Sequence, residues 1–313
     1  MKTFIRVAEI WVPDSDKSLL EFGAGLYANA VEFGAASRSM CFGRGEGLPG
    51  RVWDEGHPVV LQQLQGGYFQ RAAAAKAAHL ACALAFPVYF DDELKAVVVF
   101  FCGGEDAQAG AIELWRNDPR VSTDMTLVDG YYGATAAEFV AAARETYLPR
   151  GSGLPGLAWQ REGSVFIDGL AQSTQFLRAQ EAAAAGIQRG LAIPCPVPSR
   201  EHYVLTFLSA SATPIARRIE SWVPDAGGRS LQRAYGFCEV AGSLPTGAPY
   251  TTSGSGDDTI AEAFASGVPR LRQKAGDEPG AVGESAAAAG LGGLIVLPIV
   301  SDGVVAEAVA LYF

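Results

Sequence analysis

The chain has 313 residues, 49% of them apolar, and a formal net charge of −10 from 34 acidic and 24 basic residues. This length exceeds one ordinary core and suits two or three domains, and the apolar fraction excludes general disorder. An acidic chain repels phosphate backbones, so we expect no nucleic-acid partner.

Five cysteines are scattered along the chain, and no two of them form a Cys-x-x-Cys pair. An odd number without such pairs fits neither a disulfide framework nor a zinc site, so we expect reduced thiols and a cytoplasmic location. The chain opens without an apolar stretch of signal-peptide length, and its longest apolar runs fall far short of a membrane span. We expect neither secretion nor a membrane partner.

In the first third of the chain, apolar runs and turn signals alternate. Apolar and aromatic runs predict strands, helical spacing and alanine predict helices, and Gly, Pro and Asp mark turns. The predicted elements are, in order, strand 6–12, strand 20–27, helix 28–37, a short helix from Gly47 that ends at Gly56, strand 59–64, helix 69–80, and a closing hairpin of strands 83–89 and 96–101. Strands with interspersed helices and a closing hairpin indicate an α+β domain.

The same order of elements returns twice. Glu-x-Trp opens each third of the chain, at Glu9–Trp11, Glu113–Trp115 and Glu220–Trp222. An offset of 106 maps the pattern from Phe33 to Trp53 onto Phe139 to Trp159, and an offset of 211 maps Pro87 onto Pro298. A fixed period predicts repeated units. We predict three domains, at 1–106, 107–214 and 215–313.

Residues 33–101 carry a resemblance to a known family. Gly-Glu-Gly-Leu-Pro-Gly-Arg-Val-Trp at 45–53, Phe-x-Arg-Ala-Ala at 69–73, Ala-Phe-Pro-Val at 85–88 and Val-Val-Val-Phe-Phe at 97–101 resemble GAF domains of bacterial signalling proteins. The resemblance is good in the second copy and weak in the third, where Gly256-Asp257-Asp258-Thr259 replaces the glycine turn. It implies three tandem GAF-like domains, each a central antiparallel sheet flanked by helices. It does not identify a ligand, because the family binds cyclic nucleotides, bilins, haem, small acids or nothing.

The glycine turn matches a dinucleotide fingerprint, but its surroundings do not. That fingerprint needs a full crossover helix, whereas Gly56 ends the helix at once, and no Lys-Ser/Thr follows as in a P-loop. We therefore predict a tight turn whose short helix packs Trp53 or Trp159 into a core. An alternative is an anion site at this helix N-terminus, with Arg38 and Arg144 as the cationic partners.

The family geometry predicts a pocket in copies one and two, between the sheet, the glycine-turn helix and the alanine-rich segment. The predicted lining residues are Trp53, Tyr68, His79 and Cys82 in copy one, and Trp159, Phe176 and Gln188 in copy two. His79 and Cys82 could be metal or haem ligands in principle, but Gly186 and Gly290 replace His79 in the other copies. We predict no metal site, and the residues identify no cofactor.

Two catalytic or covalent roles of the family are disfavoured. Bilin-binding members use a Cys commonly followed by His, and this chain has no Cys-His dipeptide. The free methionine sulfoxide reductase places a cysteine in the glycine turn, where this chain has Leu48-Pro49 and Leu154-Pro155. Because no nucleophile or paired carboxylate repeats across the copies, we predict that the protein is not an enzyme.

Two functions remain open. The first is a sensor in which GAF-like domains bind a small molecule, with an anion as one option, and pass the change to a separate partner protein. The second is a scaffold for dimerisation or protein interaction without a ligand. The chain ends with the last strand of copy three, which favours a separate output protein, and a homodimer is possible. We expect copy three to be structural, since Leu244 and Pro249 stand where copy one has Phe33 and Arg38.

Overall fold

The computed structural model describes residues 2–103, 109–253 and 258–313. In these residues, eighteen strands form three antiparallel sheets of six strands each. The sheets occupy residues 5–103, 109–209 and 218–312, and each is accompanied by its own helices. The predicted α+β class and the threefold repetition are therefore confirmed. The predicted boundary at 106/107 lies outside the described residues, and both boundary positions stay predictions.

Domain 1 contains six strands and three helices. In chain order they are β1 (Ile5–Pro13), β2 (Leu20–Leu26), α1 (Val31–Arg38), β3 (Cys41–Phe42), α2 (Gly47–Glu55), β4 (Val59–Leu61), α3 (Ala72–Ala77), β5 (Leu80–Phe90) and β6 (Glu93–Gly103). The order matches the prediction except for β3, which was not predicted, and α3 is shorter than the predicted helix 69–80. Leu80 already belongs to β5, and His79 has a left-handed φ of 53°, which a helix cannot continue through.

Domain 2 repeats this order. Its elements are β7 (Ala109–Asn117), β8 (Asp124–Gly133), α4 (Ala137–Glu145), β9 (Tyr147–Pro149), α5 (Gly153–Arg161), β10 (Val165–Asp168), a 3-10 turn (Leu170–Gln172), α6 (Ala179–Ala184), β11 (Arg189–Cys195) and β12 (His202–Ser209).

Domain 3 keeps the strands but loses a helix. Its elements are β13 (Arg218–Pro224), β14 (Leu231–Cys238), β15 (Gly242–Ser243), α7 (Thr259–Ser266), β16 (Arg270–Arg272), a 3-10 turn (Ala275–Asp277), α8 (Gly280–Ala288), β17 (Leu294–Ser301) and β18 (Val304–Tyr312). Its described residues 244–253 form no helix, although α1 and α4 occupy the corresponding positions of domains 1 and 2.

The three sheets share one strand order. It reads β3-β2-β1-β6-β5-β4 in domain 1, and the corresponding strands follow in domains 2 and 3. The first and last strands of each domain therefore pair at the sheet centre. Both are buried on two faces, so their sequences read as nearly continuous apolar runs.

One face of each sheet packs under its own helices, and the other faces pack together. The own-domain cores contain Trp11, Trp115 and Trp222, each 0% exposed. The opposite faces contribute to one common core, in which Phe100 of domain 1 lies 5.8 Å from Phe207 of domain 2. Strands β5, β11 and β17 each contact the other two. The three domains therefore form a closed ring around an approximate threefold axis.

Equivalent prolines meet at this axis. Pro87, Pro194 and Pro298 line the same small cavity. A proline cannot donate to a sheet ladder and is normally excluded from central strands. In β5 the outer partner β4 pairs only with residues up to Ala85, so Pro87 lies beyond the end of that pairing. Pro194 and Pro298 likewise lie beyond the end of the pairing with their outer strands β10 and β16. This explains why each of the three copies tolerates a proline at this position.

The domains also touch along three seams. The fourth strand of each domain lies near the second strand of the next: β4 near β8, β10 near β14 and β16 near β2. Each seam has its own chemistry. His57 stacks on Tyr203 at 5.4 Å between domains 1 and 2, while the Ser164 N–H donates to the Glu307 carboxylate at 2.7 Å between domains 2 and 3. At the third seam, the Gln273 amide donates to the Gly25 carbonyl at 2.9 Å.

Candidate functional site

A glutamate inside each own-domain core is the most unusual buried group of the fold. Glu9, Glu113 and Glu220 are each 0% exposed, although they lie on central apolar strands. Each is two residues before the tryptophan that recurs in the three copies, so both side chains lie on the same sheet face. The indole N–H of each tryptophan donates to its glutamate, at 3.1, 3.0 and 3.3 Å in domains 1 to 3. A buried carboxylate also needs a cation, and the domains supply it differently.

In domain 1, Glu9 is fully satisfied. Arg71, which precedes α3, donates to both carboxylate oxygens at 2.6 and 3.0 Å. Ser37 and Tyr27 add hydroxyl donors at 2.6 and 3.0 Å. The Arg71 guanidinium also lies 4.5 Å from the Phe33 ring centroid. Five donors and surrounding aromatic rings fill the space between sheet and helices.

Domain 2 keeps the ion pair but not the hydroxyl contacts. Arg178 donates to both Glu113 oxygens at 2.7 Å, in a bidentate pair. Ala143 stands at the place of Ser37, 106 positions later, and the buried hydroxyl of Tyr132 has no hydrogen-bond partner among the described residues. Burial and the nearby Glu113 carboxylate raise the pKa of Tyr132, so its phenol stays neutral.

Domain 3 takes its cations from the strands instead of the helix. Its α8 carries no arginine. The Arg233 guanidinium of β14 lies 3.1 Å from Glu220, and the Tyr312 hydroxyl donates to Glu220 at 2.6 Å. A second buried arginine, Arg218 of β13, lies 4.0 Å from the same carboxylate. Domain 3 thus places two arginines around one glutamate.

The positive charge of this cluster helps to lower the pKa of a neighbouring thiol. Cys238 pairs with Arg218 across β13 and β14. Burial raises the pKa of the Cys238 thiol, but the backbone N–H of Val240 and the Arg218 guanidinium outweigh it, so the pKa lies below its ordinary value. By contrast, burial raises the pKa of Cys195 and Cys82 in the common core, which keeps those thiols protonated.

The predicted pocket residues of domain 1 are spread over several places. Trp53 is 6% exposed and packs in the domain 1 core, as predicted for the glycine-turn helix, with the Arg44 guanidinium 4.6 Å from its ring. Tyr68 is half-buried under the Arg51 guanidinium at 4.8 Å. Arg38 is exposed and lies 5.3 Å from the Tyr27 ring.

Cys82 and His79 lie apart, although both were predicted to line one pocket of domain 1. The Cys82 side chain is 0% exposed and belongs to the common core between the domains, on the face opposite Trp11. His79 is exposed and lines a surface pocket of about 220 Å³ near Tyr27 and Arg6. Ala83 and Ala85 of β5 lie in the domain 1 core, and because strand side chains alternate between faces, Cys82 lies on the opposite face; a register shift between Leu80 and Cys82 separates it from Leu80, which faces the domain 1 core.

In domain 2, one of the predicted residues touches the buried ion pair. Phe176 is 3% exposed, and the Arg178 guanidinium lies 5.2 Å from its ring. Trp159 is half-buried 5.4 Å from His202 and lines a cleft of about 310 Å³ between domains 2 and 3. Gln188 and Arg144 are exposed. A role in ligand binding stays a prediction for all of these residues.

The glycine turn has a structural explanation. The Gly45 N–H donates to the Gly50 carbonyl at 2.8 Å, and the equivalent bond in domain 2 has the same length. A Cβ at Gly50 would lie 2.0 Å from the Gly43 carbonyl oxygen, so only glycine lets α2 approach this closely. Gly56, with φ of 71°, ends the helix. The glycine turn therefore holds α2 against the chain segment that precedes it.

The sequence contained signals for the buried clusters that our prediction did not use. Glu-x-Trp was found in all three copies, and Phe-x-Arg-Ala occurs at 69–72 and again at 176–179. A charged residue that recurs inside an apolar strand requires a buried partner, and the recurring arginine is that partner. Arg218 and Arg233 have no such repeat, so only the structure locates them.

Within the described ranges, no group of three or more His, Cys, Asp or Glu side chains is placed to hold a metal ion. None of the described helices is long and apolar enough to cross a bilayer.

Comparison with known proteins identifies the first domain. A family model of the GAF domain matches residues 2–115. Among curated proteins, none matches the chain.

Solved structures resemble about a third of the chain. The nlh2 GAF domain of A. aeolicus in an inactive state is 17% identical, covering 32% of this chain and 59% of that one, with a TM-score of 0.27. The free methionine-R-sulfoxide reductase of Neisseria meningitidis, in complex with its substrate, is 19% identical, covering 32% and 51%, with a TM-score of 0.24. A Staphylococcus aureus NreA protein mutated in its nitrate binding site is 19% identical, covering 32% and 73%, with a TM-score of 0.27. This chain therefore spans 59% and 51% of the length of the first two structures.

Proposed function

This chain is a tandem of three GAF-like domains, and from that membership we propose that it is a non-catalytic sensory or regulatory protein of the cytoplasm. GAF domains are small-molecule-binding sensory and regulatory domains. In the proposal, a small molecule binds inside one domain, and the ring passes the resulting change to a separate partner protein.

The common core is the observation that carries this proposal. Residues of all three sheets pack there, including Phe100, Phe207 and Leu297, each at most 2% exposed. Packed interiors have few arrangements and deform little. A ligand that shifts one sheet therefore changes the packing of the other two, and the surface presented to a partner changes with it.

Catalysis has little support from the residues that would perform it. The glycine turns carry Leu48-Pro49 and Leu154-Pro155 where the sulfoxide reductases carry a cysteine. The buried thiols of Cys82 and Cys195 have raised pKa values and therefore do not supply a thiolate nucleophile, and Cys238, whose pKa is lowered, is 0% exposed.

A scaffold without a ligand is the second candidate, and the filled interiors of domains 1 and 2 favour it. Glu9 and Arg71 are 0% and 5% exposed, and Glu113 and Arg178 are 0% and 5% exposed. Each pair lies where a ligand would otherwise contact the sheet. If domain 3 were filled in the same way, the protein would act only through its surface.

Native mass spectrometry of protein purified from its own cells tests the proposal. The mass under native conditions is compared with the mass of the same sample after denaturation, and the same spectrum reports whether the chain forms a homodimer. We expect an additional small-molecule mass that is lost on denaturation and that, added back to refolded protein, raises its melting temperature. Equal masses, together with no stabilisation by a small-molecule extract of those cells, would establish the scaffold instead.

A further inference from the structure

Domain 3 buries a cationic cluster that the other domains lack. Arg218 and Arg233 are 1% and 9% exposed, and Glu220 between them is 0% exposed. The other buried carboxylates of this domain have their own donors. Glu278 is 2.6 Å from Arg272, Asp258 accepts from Ser253, and Glu307 lies at the seam with Ser164. One guanidinium is therefore in excess beside Glu220.

Several guanidinium nitrogens of this cluster have no hydrogen-bond partner in the described part of the chain. They are Nε and Nη1 of Arg218 and Nε of Arg233. The remaining nitrogens are used: Nη2 of Arg218 donates to Ser285, and Nη1 of Arg233 donates to the Pro245 carbonyl at 3.2 Å. Oε1 of Glu220 also lacks a hydrogen-bond partner in this part of the chain, but one oxygen does not match three unpaired donors. Buried charged donors in excess of their acceptors are costly to maintain, and they point to a further acceptor that the chain does not provide.

The fold itself does not require these arginines. Position 218 lies two residues before the glutamate that recurs in the three copies, where domains 1 and 2 carry Val7 and Ala111. Arg233 pairs with Trp222 across the sheet, and the residues in the same register are Phe22 and Leu127. Apolar side chains thus serve both positions in sheets of the same strand order, and one arginine would suffice to neutralise Glu220.

The cover over this corner of domain 3 is also different. Domains 1 and 2 place α1 and α4 after their second strand, whereas the described residues 244–253 of domain 3 form no helix. The backbone of this segment is tied to Arg233, whose N–H donates to the Ala248 carbonyl at 2.9 Å and whose side chain holds Pro245. An irregular cover opens at lower cost than a packed helix, which gives a ligand a route to the buried arginines.

We infer that domain 3 binds a small anion, the carboxylate of an organic acid or an inorganic oxyanion, on Arg218 and Arg233. The planar guanidinium groups of the two arginines present unpaired N–H donors in fixed directions to an anion oxygen, and a buried site strengthens the contact. The inference rests on the proposed function, since it names the ligand class and the domain. It replaces the expectation that the third copy is purely structural.

Isothermal titration calorimetry on the full chain tests the inference, with acetate, nitrate and phosphate as probes in buffer without added salt. We expect saturable binding of at least one anion. Arg218→Met keeps an unbranched stem but removes the guanidinium and its charge, and it should weaken that binding about 10- to 100-fold. Arg218→Lys should fall between wild type and Arg218→Met, because it retains the charge but not the planar fork. Arg229→Ala removes an exposed arginine of the same domain and should leave binding unchanged.

The three probes separate the two sources of the anion. Acetate binding without nitrate or phosphate identifies an organic acid, and the reverse identifies an inorganic oxyanion; either supports the inference. A second readout needs no variant: the Arg218 Nε–H signal in nitrogen NMR should shift on titration with the bound anion.

Two results would overturn the inference. One is the absence of binding by all three anions, and the other is binding that Arg218→Met leaves intact in a variant with wild-type near-ultraviolet circular dichroism. In either case a neutral ligand found by native mass spectrometry would still support the proposed function, so the two failures are distinguishable.

Discussion

At the scale of single residues, the buried ion pair of domain 1 should dominate stability. Arg71→Met leaves the Glu9 carboxylate buried without its cation, and we expect the free energy of unfolding to fall by about 3–5 kcal/mol. The double variant Glu9→Gln, Arg71→Met should recover part of this loss, because no uncompensated charge remains. Urea denaturation followed by circular dichroism measures both. A loss below about 1 kcal/mol for Arg71→Met would show that water reaches the pair.

Two equivalent tyrosines provide a matched pair of hydroxyl deletions. The Tyr27 hydroxyl donates to Glu9 at 3.0 Å, whereas the Tyr132 hydroxyl has no hydrogen-bond partner within the described ranges. Tyr27→Phe should therefore destabilise the protein by about 1.5–3 kcal/mol, the range for a hydrogen bond to a charged group. Tyr132→Phe should be neutral or stabilising. The same denaturation experiment compares them, and equal losses would contradict the difference between the two domains.

The sequence does not show which face of the sheet a side chain occupies. In β5 both faces are buried, since Ala83 lies in the domain 1 core and Cys82 in the common core. The alternation of apolar and polar residues that normally separates the faces is therefore missing. Trp53 was placed correctly because the short glycine-turn helix has only one buried side. Arg38 and Arg144 were chosen by their spacing, although both lie on exposed helix positions.

At the scale of elements, the glycine-turn helix makes a specific prediction. In Gly50→Ala the added Cβ would lie 2.0 Å from the Gly43 carbonyl oxygen, so α2 must move away from the preceding chain. We expect a loss of about 2–3 kcal/mol in the free energy of unfolding.

Asp54→Ala, at an exposed position of the same helix, is the control and should change stability by less than about 0.5 kcal/mol. Thermal unfolding followed by circular dichroism compares the two variants. If both behave as wild type, the turn is not the rigid support that its hydrogen bonds indicate.

Strands were predicted better than helices, because the local sequence marks the strands, whereas tertiary contacts decide the extent of the helix. Continuous apolar runs mark β5 and β6 even without knowledge of their partners. The alanine-rich segment predicted a helix over 69–80, but only Ala72–Ala77 is helical. Phe69 and Arg71 leave the helical path to pack in the domain 1 interior, and tertiary contacts override the propensity of alanine there.

At the scale of the whole molecule, the common core should make the three domains unfold together. Phe207→Ala removes a ring that is 0% exposed and packs against Phe100 of another domain. We expect a loss of about 3–5 kcal/mol and one calorimetric transition at a lower temperature. Val121→Ala, at a position that is 82% exposed, is the control and should leave the transition in place.

Hydrogen exchange measured by mass spectrometry gives the spatial detail. In Phe207→Ala, exchange should become faster in β5 and β17 as well as in β12, because all three strands border the common core. A separate transition for domain 2, with unchanged exchange in the other domains, would show that the ring is only a loose association.

The ring itself was beyond the reach of sequence reasoning. The period of the repeat predicts three copies, but it does not state which faces meet. Closure depends on contacts such as His57 on Tyr203 and Ser164 on Glu307, which differ from seam to seam and leave no repeated pattern. The three equivalent prolines were visible in the sequence, yet their meeting at one axis follows only from the packing of the sheets.

The lengths of the outermost strands have a consequence for behaviour at high concentration. Each sheet ends in strands of two to four residues: β3, β9 and β15 on one side, and β4, β10 and β16 on the other. A long unpaired strand is a template on which other chains add and aggregate. In the described residues of this protein the long strands all lie inside the sheets, and the outer ones are too short to recruit a neighbour. A molecule with eighteen described strands, the central ones largely apolar, is thereby protected against growing into fibrils.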